Sequence, residues 1–204
     1  MRYRHLFMFL LVIGCGENHI VQRAADDYFP LREGYWWRYA GENDTVLVEV
    51  EPKDTLLEIE CFPVSYNGMP KYLAKHAGSI SQYVIRTHNV AGDDYTIIED
   101  FVVRIELPLV VGNTHHHVLA DSVSVAGHSI QARHEFIGQV VGYDFESAYG
   151  DVYEVSITTI RSFSIDGTAL ADTGEVTEYY APGVGMVRFR DGTAEYELIV
   201  YNIP

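Results

Sequence analysis

Three consecutive histidines, His115-His116-His117, are the residues of this chain best suited by type and spacing to do chemistry. On an extended strand His115 and His117 project from one face and His116 from the other. The outer pair is therefore spaced to share a metal ion. Zinc takes three or four ligands, each held in place by a further hydrogen bond. A third ligand would be His134, with His128 and Glu135 as further candidates, if the turn at Ala126-Gly127 folds the chain back beside the triplet. Such a centre would make this a metal-binding protein or a metal-dependent hydrolase. Spacing alone does not fix that pairing, and histidines on a Thr/His-rich strand are commonly just exposed. HExxH, GxSxG, a phosphate-cradling glycine loop and a dinucleotide fingerprint are all absent from the sequence. The acid pairs Asp93-Asp94 and Glu99-Asp100 sit beside turns, lack the alternating oxygen ligands of a calcium loop, and read as solvated. No catalytic residue is assigned and no cofactor is expected.

The elements that would position these residues are strands. Val46, Val48 and Val50 alternate with polar or outward positions, as do Tyr153, Val155 and Ile157, and Ala194, Tyr196, Leu198 and Val200. Period-two alternation marks half-buried strands. Turn chemistry recurs between them, at Asn67-Gly68, Gly92-Asp93-Asp94, Gly112-Asn113, Asp166-Gly167 and Asp191-Gly192. Asp191-Gly192 predicts a type I′ hairpin with both residues at positive φ. Lys71–His76 is the one stretch with a short-helix reading. The expectation is an all-β domain with a single antiparallel, strongly curved sheet, an open or half-barrel. Trp36 and Trp37 would point to opposite faces of a strand, and these two with Tyr180 are the candidates to line a concave, ligand-binding face. One internal echo stands out: Phe29-Pro-Leu-Arg-Glu-Gly34 resembles Leu107-Pro-Leu-Val-Val-Gly112, each followed by a strand. It reads as a duplicated half-sheet or a recurring device for starting a strand.

The first residues place the protein. Arg2 and Arg4 precede an apolar run from Leu6 to Ile13, which is too short to span a bilayer; that takes about 20 apolar residues. A charged segment, a short apolar segment and a small residue before a cut site predict a secretory signal over 1–14. Val12-Ile13-Gly14-Cys15 resembles the bacterial lipobox, which implies lipidation of Cys15 with diacylglycerol and fatty-acyl chains such as palmitate. Each buried CH₂ contributes about 0.8 kcal/mol, so two or three chains anchor stably. Residues 15–27 are polar and read as a tether, leaving 28–204 as the domain. The formal charge of −15 argues against nucleic-acid binding and against adhesion to anionic lipid. Membrane attachment must then rest on the anchor. With Cys15 lipidated, Cys61 has no partner within the chain and reads as a buried small apolar residue.

Tyr28-Phe-Pro-Leu-Arg-Glu-Gly34-Tyr-Trp-Trp37-Arg-Tyr39 and the closing Tyr180-Ala-Pro-Gly-Val-Gly-Met-Val187 resemble the YFPLxxGxxWxY and YAPGVGxV boxes of uncharacterised bacterial lipoproteins. In that group a second PLxxG segment falls midway, here Pro108–Gly112, although His115 stands where an aromatic is common. The resemblance implies a curled antiparallel sheet, similar to lipoprotein-carrier half-barrels of the LolA/LolB type, and brings no activity. The reading is thus an envelope lipoprotein that binds an apolar ligand or an envelope protein without catalysis. Gly16 after the cysteine favours the outer membrane in a Gram-negative host. The alternative is the metal protein built on His115 and His117.

Overall fold

At four hairpins the two-residue turn has both of its residues, the second a glycine, at positive φ. Asn67-Gly68 (φ 48° and 84°), Ala91-Gly92, Ala126-Gly127 and Asp166-Gly167 all take this conformation, which matches the twist of the strands they join. A computed structural model describes residues 28–203. The expected signal over 1–14, the lipidated Cys15 and the tether to residue 27 lie outside the described residues.

Those turns produce two antiparallel meanders. The first runs through β1 (Trp36–Ala40), β2 (Thr45–Val50), β4 (Ile59–Tyr66), β5 (Met69–His76), β6 (Ser79–Val90) and β7 (Asp93–Glu106), with β3 (Asp54–Leu56) as a short flap on β4. The second runs through β8 (Thr114–Val125), β9 (His128–Ser147), β10 (Gly150–Ile165), β11 (Thr168–Ala181), β12 (Gly185–Asp191) and β13 (Ala194–Asn202). Pairing of β1 with β13 joins them into one 13-stranded sheet. The sheet curls until its edges, β7 and β8, face each other across a seam that carries no backbone ladder. The result is the expected all-β, single antiparallel, strongly curved sheet, open along one seam and otherwise closed further round than a half-barrel.

The two PLxxG segments do the same job in the two halves. Gly34 and Gly112 both take positive φ (82° and 92°). The Gly34 N–H donates to Val50 O and the Val50 N–H to Tyr35 O; correspondingly, the Gly112 N–H donates to Val140 O and the Val140 N–H to Asn113 O, all at 2.8–3.0 Å. Leu31 and Leu109 are both buried beneath. Each segment therefore launches the first strand of its meander.

Two local expectations are corrected. Residues 71–76 belong to strand β5, because Leu73 pairs with Phe62 on one side and Gln82 on the other; tertiary pairing overrides a weak local preference. In the β12–β13 hairpin, Asp191 is the last ladder residue, opposite Ala194, and only Gly192 takes positive φ (58°). Side-chain pairing fixes that register: Phe189 stacks on Tyr196 at 4.7 Å, and Arg190 reaches Glu195 at 3.2 Å.

Apolar side chains collect in three clusters, the smallest of them Cys61, Ala74 and Phe101 beside the β3 flap. The main core fills one end, where Tyr28, Phe29 and Leu31, just ahead of β1, fold in as a plug. Phe29 packs on Tyr180 at 4.6 Å and Tyr28 on Tyr153 at 5.6 Å. Trp37 Nε1 donates to Val184 O at 2.7 Å and the Tyr39 hydroxyl to Met186 O at 2.8 Å. The opening and closing boxes of the sequence thus meet here. A smaller core of Ile97, Ile98, Val125, Ile130 and Ala132 lies separately. It gathers residues from the long hairpins β6–β7 and β8–β9.

Candidate functional site

Away from the plug, the interior opens into a cavity of about 790 Å³, within the size range of small-molecule sites. Strand alternation places most of its deeper lining, while Tyr83, Ile85 and Glu175 contribute from the alternate positions. Gln82, Val84 and Arg86 come from β6; His134 and Phe136 from β9; Gly174, Val176 and Glu178 from β11; Met186 and Phe189 from β12. The surface is therefore mixed, with aliphatic and aromatic side chains beside four cations, Lys71, Arg86, Arg104 and Arg161, and three acids, Glu175, Glu178 and Asp191.

Arg104 is aimed inward by a fault in the ladder. Ile80 pairs with Ile105 but Ser81 pairs with Val103, so Arg104 is the extra residue of a β-bulge. Its Nη2 donates to Glu178 Oε1 at 2.5 Å and its Nη1 to Gln82 Oε1 at 2.9 Å. The Tyr180 hydroxyl donates to Glu178 Oε2 at 2.7 Å. Burial works against the Arg104 charge, but Glu178, Tyr180 and Tyr66 outweigh it and hold the guanidinium firmly charged. Burial, then Glu178, pushes the Tyr66 phenol up to about 12. Lys71 lies over the Tyr66 ring at 4.3 Å. Its side chain stays exposed to solvent at the cavity wall, and partial desolvation followed by the nearby Arg104 charge lowers its pKa.

A second polar layer sits toward the smaller core. Arg86 Nε and Nη2 converge on His134 Nδ1 at 3.1 and 2.9 Å. His134 is 5% exposed and stacks on Phe136 at 5.0 Å. Burial, then the charges of Arg86 and Arg161, lowers its pKa to about 4, so the ring is neutral at pH 7. Arg161 stands opposite His134 in the β9–β10 ladder and pairs with Asp172.

The structure scatters the predicted metal residues, and among the described residues His128 Nδ1 meets only Asp166 Oδ2, at 2.7 Å. His115 and His117 lie at the seam. His115 Nε2 meets Arg104 O at 2.8 Å; a carbonyl only accepts, so Nε2 carries the proton. The Val103 N–H donates to His117 Nδ1 at 2.7 Å. The two rings thus bridge β8 to β7 where the backbone ladder stops. Gly138 makes room: a Cβ there would fall 2.0 Å from His115 Cε1. His134 instead faces Arg86 in the interior. His116 and Arg133 both engage Glu135, whose carboxyl is held down to about 2, first by Arg133 and then by His116. Among the described residues no group of three or more His, Cys, Asp or Glu is arranged to hold a metal ion.

Of the predicted ligand-lining residues, Trp37 and Tyr180 border a small inner void of about 50 Å³ between the plug and Arg104. Trp36 faces outward with Arg38 at 6.0 Å from its ring. Arg86, Arg104, Arg161 and Glu178 escaped the sequence reading. Their signal was there in part: Arg104 interrupts Phe101-Val-Val-Arg-Ile105, and Glu178 adjoins Tyr179-Tyr180 on an otherwise burying strand end.

No family model and no curated protein matches this chain. Among solved structures, a chain described as "a putative lipoprotein from Parabacteroides distasonis" is similar over 86% of this chain and 98% of its own, with 13% identity and a TM-score of 0.42. A likeness that distant leaves function to be argued from the residues themselves. No helix among the described residues is long and apolar enough to cross a membrane.

Proposed function

We propose that this is a lipid-anchored protein of the bacterial cell envelope whose barrel interior binds a small amphiphilic molecule, without catalysis. The observation that carries the binding reading is the solvent-connected cavity of about 790 Å³, lined by apolar side chains together with four cations and three carboxylates. A scaffold barrel has no need of such a space, since interiors otherwise close to crystal-like density. The plug of Tyr28, Phe29 and Leu31 closes one end of the barrel. Because the plug follows the tether directly in sequence, an anchor at Cys15 would leave the chain leaving the membrane at the closed end. The anchor itself rests on the charged and apolar opening of the sequence and on Gly14-Cys15.

Two measurements test this. The chain with Cys15→Ser carries no anchor; titrated with a fluorescent fatty acid, it should bind saturably at one site. Absence of saturable binding removes the ligand reading. In the cell, the same substitution should move the protein from the membrane fraction to the soluble one. Retention in the membrane removes the anchor.

A further inference from the structure

We infer that Arg86, His134 and Arg161 form the receptor for a carboxylate head group, with the apolar part of the same ligand lying against Val84, Phe136 and Val176. This rests on the ligand-cavity reading and adds the chemistry of the ligand.

Arg86 carries five N–H groups, and its hydrogen bonds to the described residues all converge on a single lone pair of His134 Nδ1. No carboxylate lies within ion-pair distance of it among the described residues. A neutral imidazole has one acceptor, and Nδ1 spends it on Arg86, so Nε2 keeps its hydrogen. That Nε2 is buried and has no partner among the described residues; the same holds for Nε of Arg161. Asp172 is the one acid bound to the trio, through Arg161. Three side chains from β6, β9 and β10 therefore hold two guanidiniums against one carboxylate, with two buried N–H groups lacking acceptors.

Buried donors are almost always satisfied, and each exception calls for a reason. A surplus of positive charge is the more notable in a chain with 29 acids and 14 bases. A carboxylate in the cavity supplies the acceptor and the countercharge that the remaining N–H groups of Arg86 lack. It brings one negative charge, matching the single unneutralised guanidinium, and its two oxygens accept from a guanidinium fork in two parallel bonds. Both Arg86 and Arg161 line the large cavity and also an adjoining one of about 390 Å³ with Ile97 and Phe163 on its wall. The head group would thus sit where polar and apolar surfaces meet, and an apolar chain would extend over Phe136 and Val176.

The test uses the full chain with Cys15→Ser and two probes, dansylaminoundecanoic acid and its methyl ester, followed by fluorescence titration. The acid should bind at one site about tenfold or more tightly than the ester. Arg86→Gln should weaken the acid about tenfold and leave the ester unchanged, while Arg86→Lys keeps part of the preference. Equal affinity for acid and ester on the unaltered pocket overturns the head-group receptor and leaves the cavity as an apolar site. Failure of both probes to saturate overturns the receptor together with the ligand reading. The acid–ester comparison stands even if Arg86→Gln does not fold.

Discussion

Arg104 and Glu178 form an ion pair at 2.5 Å with side chains 12% and 6% exposed, and removing one partner of such a pair strands the other charge. Arg104→Met should therefore destabilise the protein by roughly 3–5 kcal/mol, while Arg104→Met with Glu178→Leu should recover most of that loss. Denaturant unfolding of both variants is the check; a double variant no better than the single one would mean the pair is not the reason for the loss. His134 titrates in a second way. Its pKa falls from 6.5 to about 4 on folding, chiefly through burial. Above pH 6.5 neither state is protonated and nothing is lost. As pH falls toward 4 the unfolded chain takes the proton and the folded one does not, so stability declines by roughly 3 kcal/mol in all. His134→Gln should flatten that segment of the stability curve, read by urea unfolding at successive pH values. Cys61 is fully buried and burial raises its thiol pKa; its side chain packs as the sequence reading expects. At this scale little of the site was legible. A strand's alternation does not show where a bulge will add a residue, and Arg104 faces the interior because of one.

Between elements, the β7–β8 seam depends on two histidine side chains doing what a ladder does elsewhere. His117→Ala removes the acceptor for the Val103 N–H and should speed amide exchange at Val103 well before it changes exchange within β10–β11. Gly138→Ala should act through His115: its Cβ would meet the ring at 2.0 Å, so the ring must leave Arg104 O. A loss of about 1–3 kcal/mol is expected for the stranded backbone group and the displaced ring. Hydrogen exchange confined to β7 and β8 is the expected signature, and uniform protection loss across the sheet would contradict a seam held by these rings. The spacing of the triplet correctly placed His115 and His117 on one strand face. Which strand that face would meet depended on closure of the whole barrel, over contacts that no local pattern encodes. Hairpins were more legible, because Asn67-Gly68 and Asp166-Gly167 carry their own backbone geometry. Asp191-Gly192 misled by one position because Phe189 and Tyr196 set the register.

Over the whole molecule, the two PLxxG segments begin two meanders that meet at β1 and β13 and face each other again at β7 and β8. The repeat was visible in the sequence as an echo; its meaning as two halves of one barrel needed the strand order. The plug ties the halves together, since Tyr28 and Phe29 reach Tyr153 and Tyr180. Phe29→Ala should cost about 3–5 kcal/mol, seen as a lower midpoint in thermal unfolding. The interior left open above it is the feature the functional account depends on. Gly174 lines that cavity, and a Cβ there would meet nothing within 4 Å. Gly174→Trp therefore places an indole in the open space without displacing the sheet. The decisive measurement is titration of this variant with dansylaminoundecanoic acid beside the unaltered cavity, with the thermal midpoint recorded for both. One saturable site that disappears in Gly174→Trp at an unchanged midpoint is the predicted result. Undiminished binding by a folded Gly174→Trp would contradict it, because the molecule would then be held somewhere other than the barrel interior.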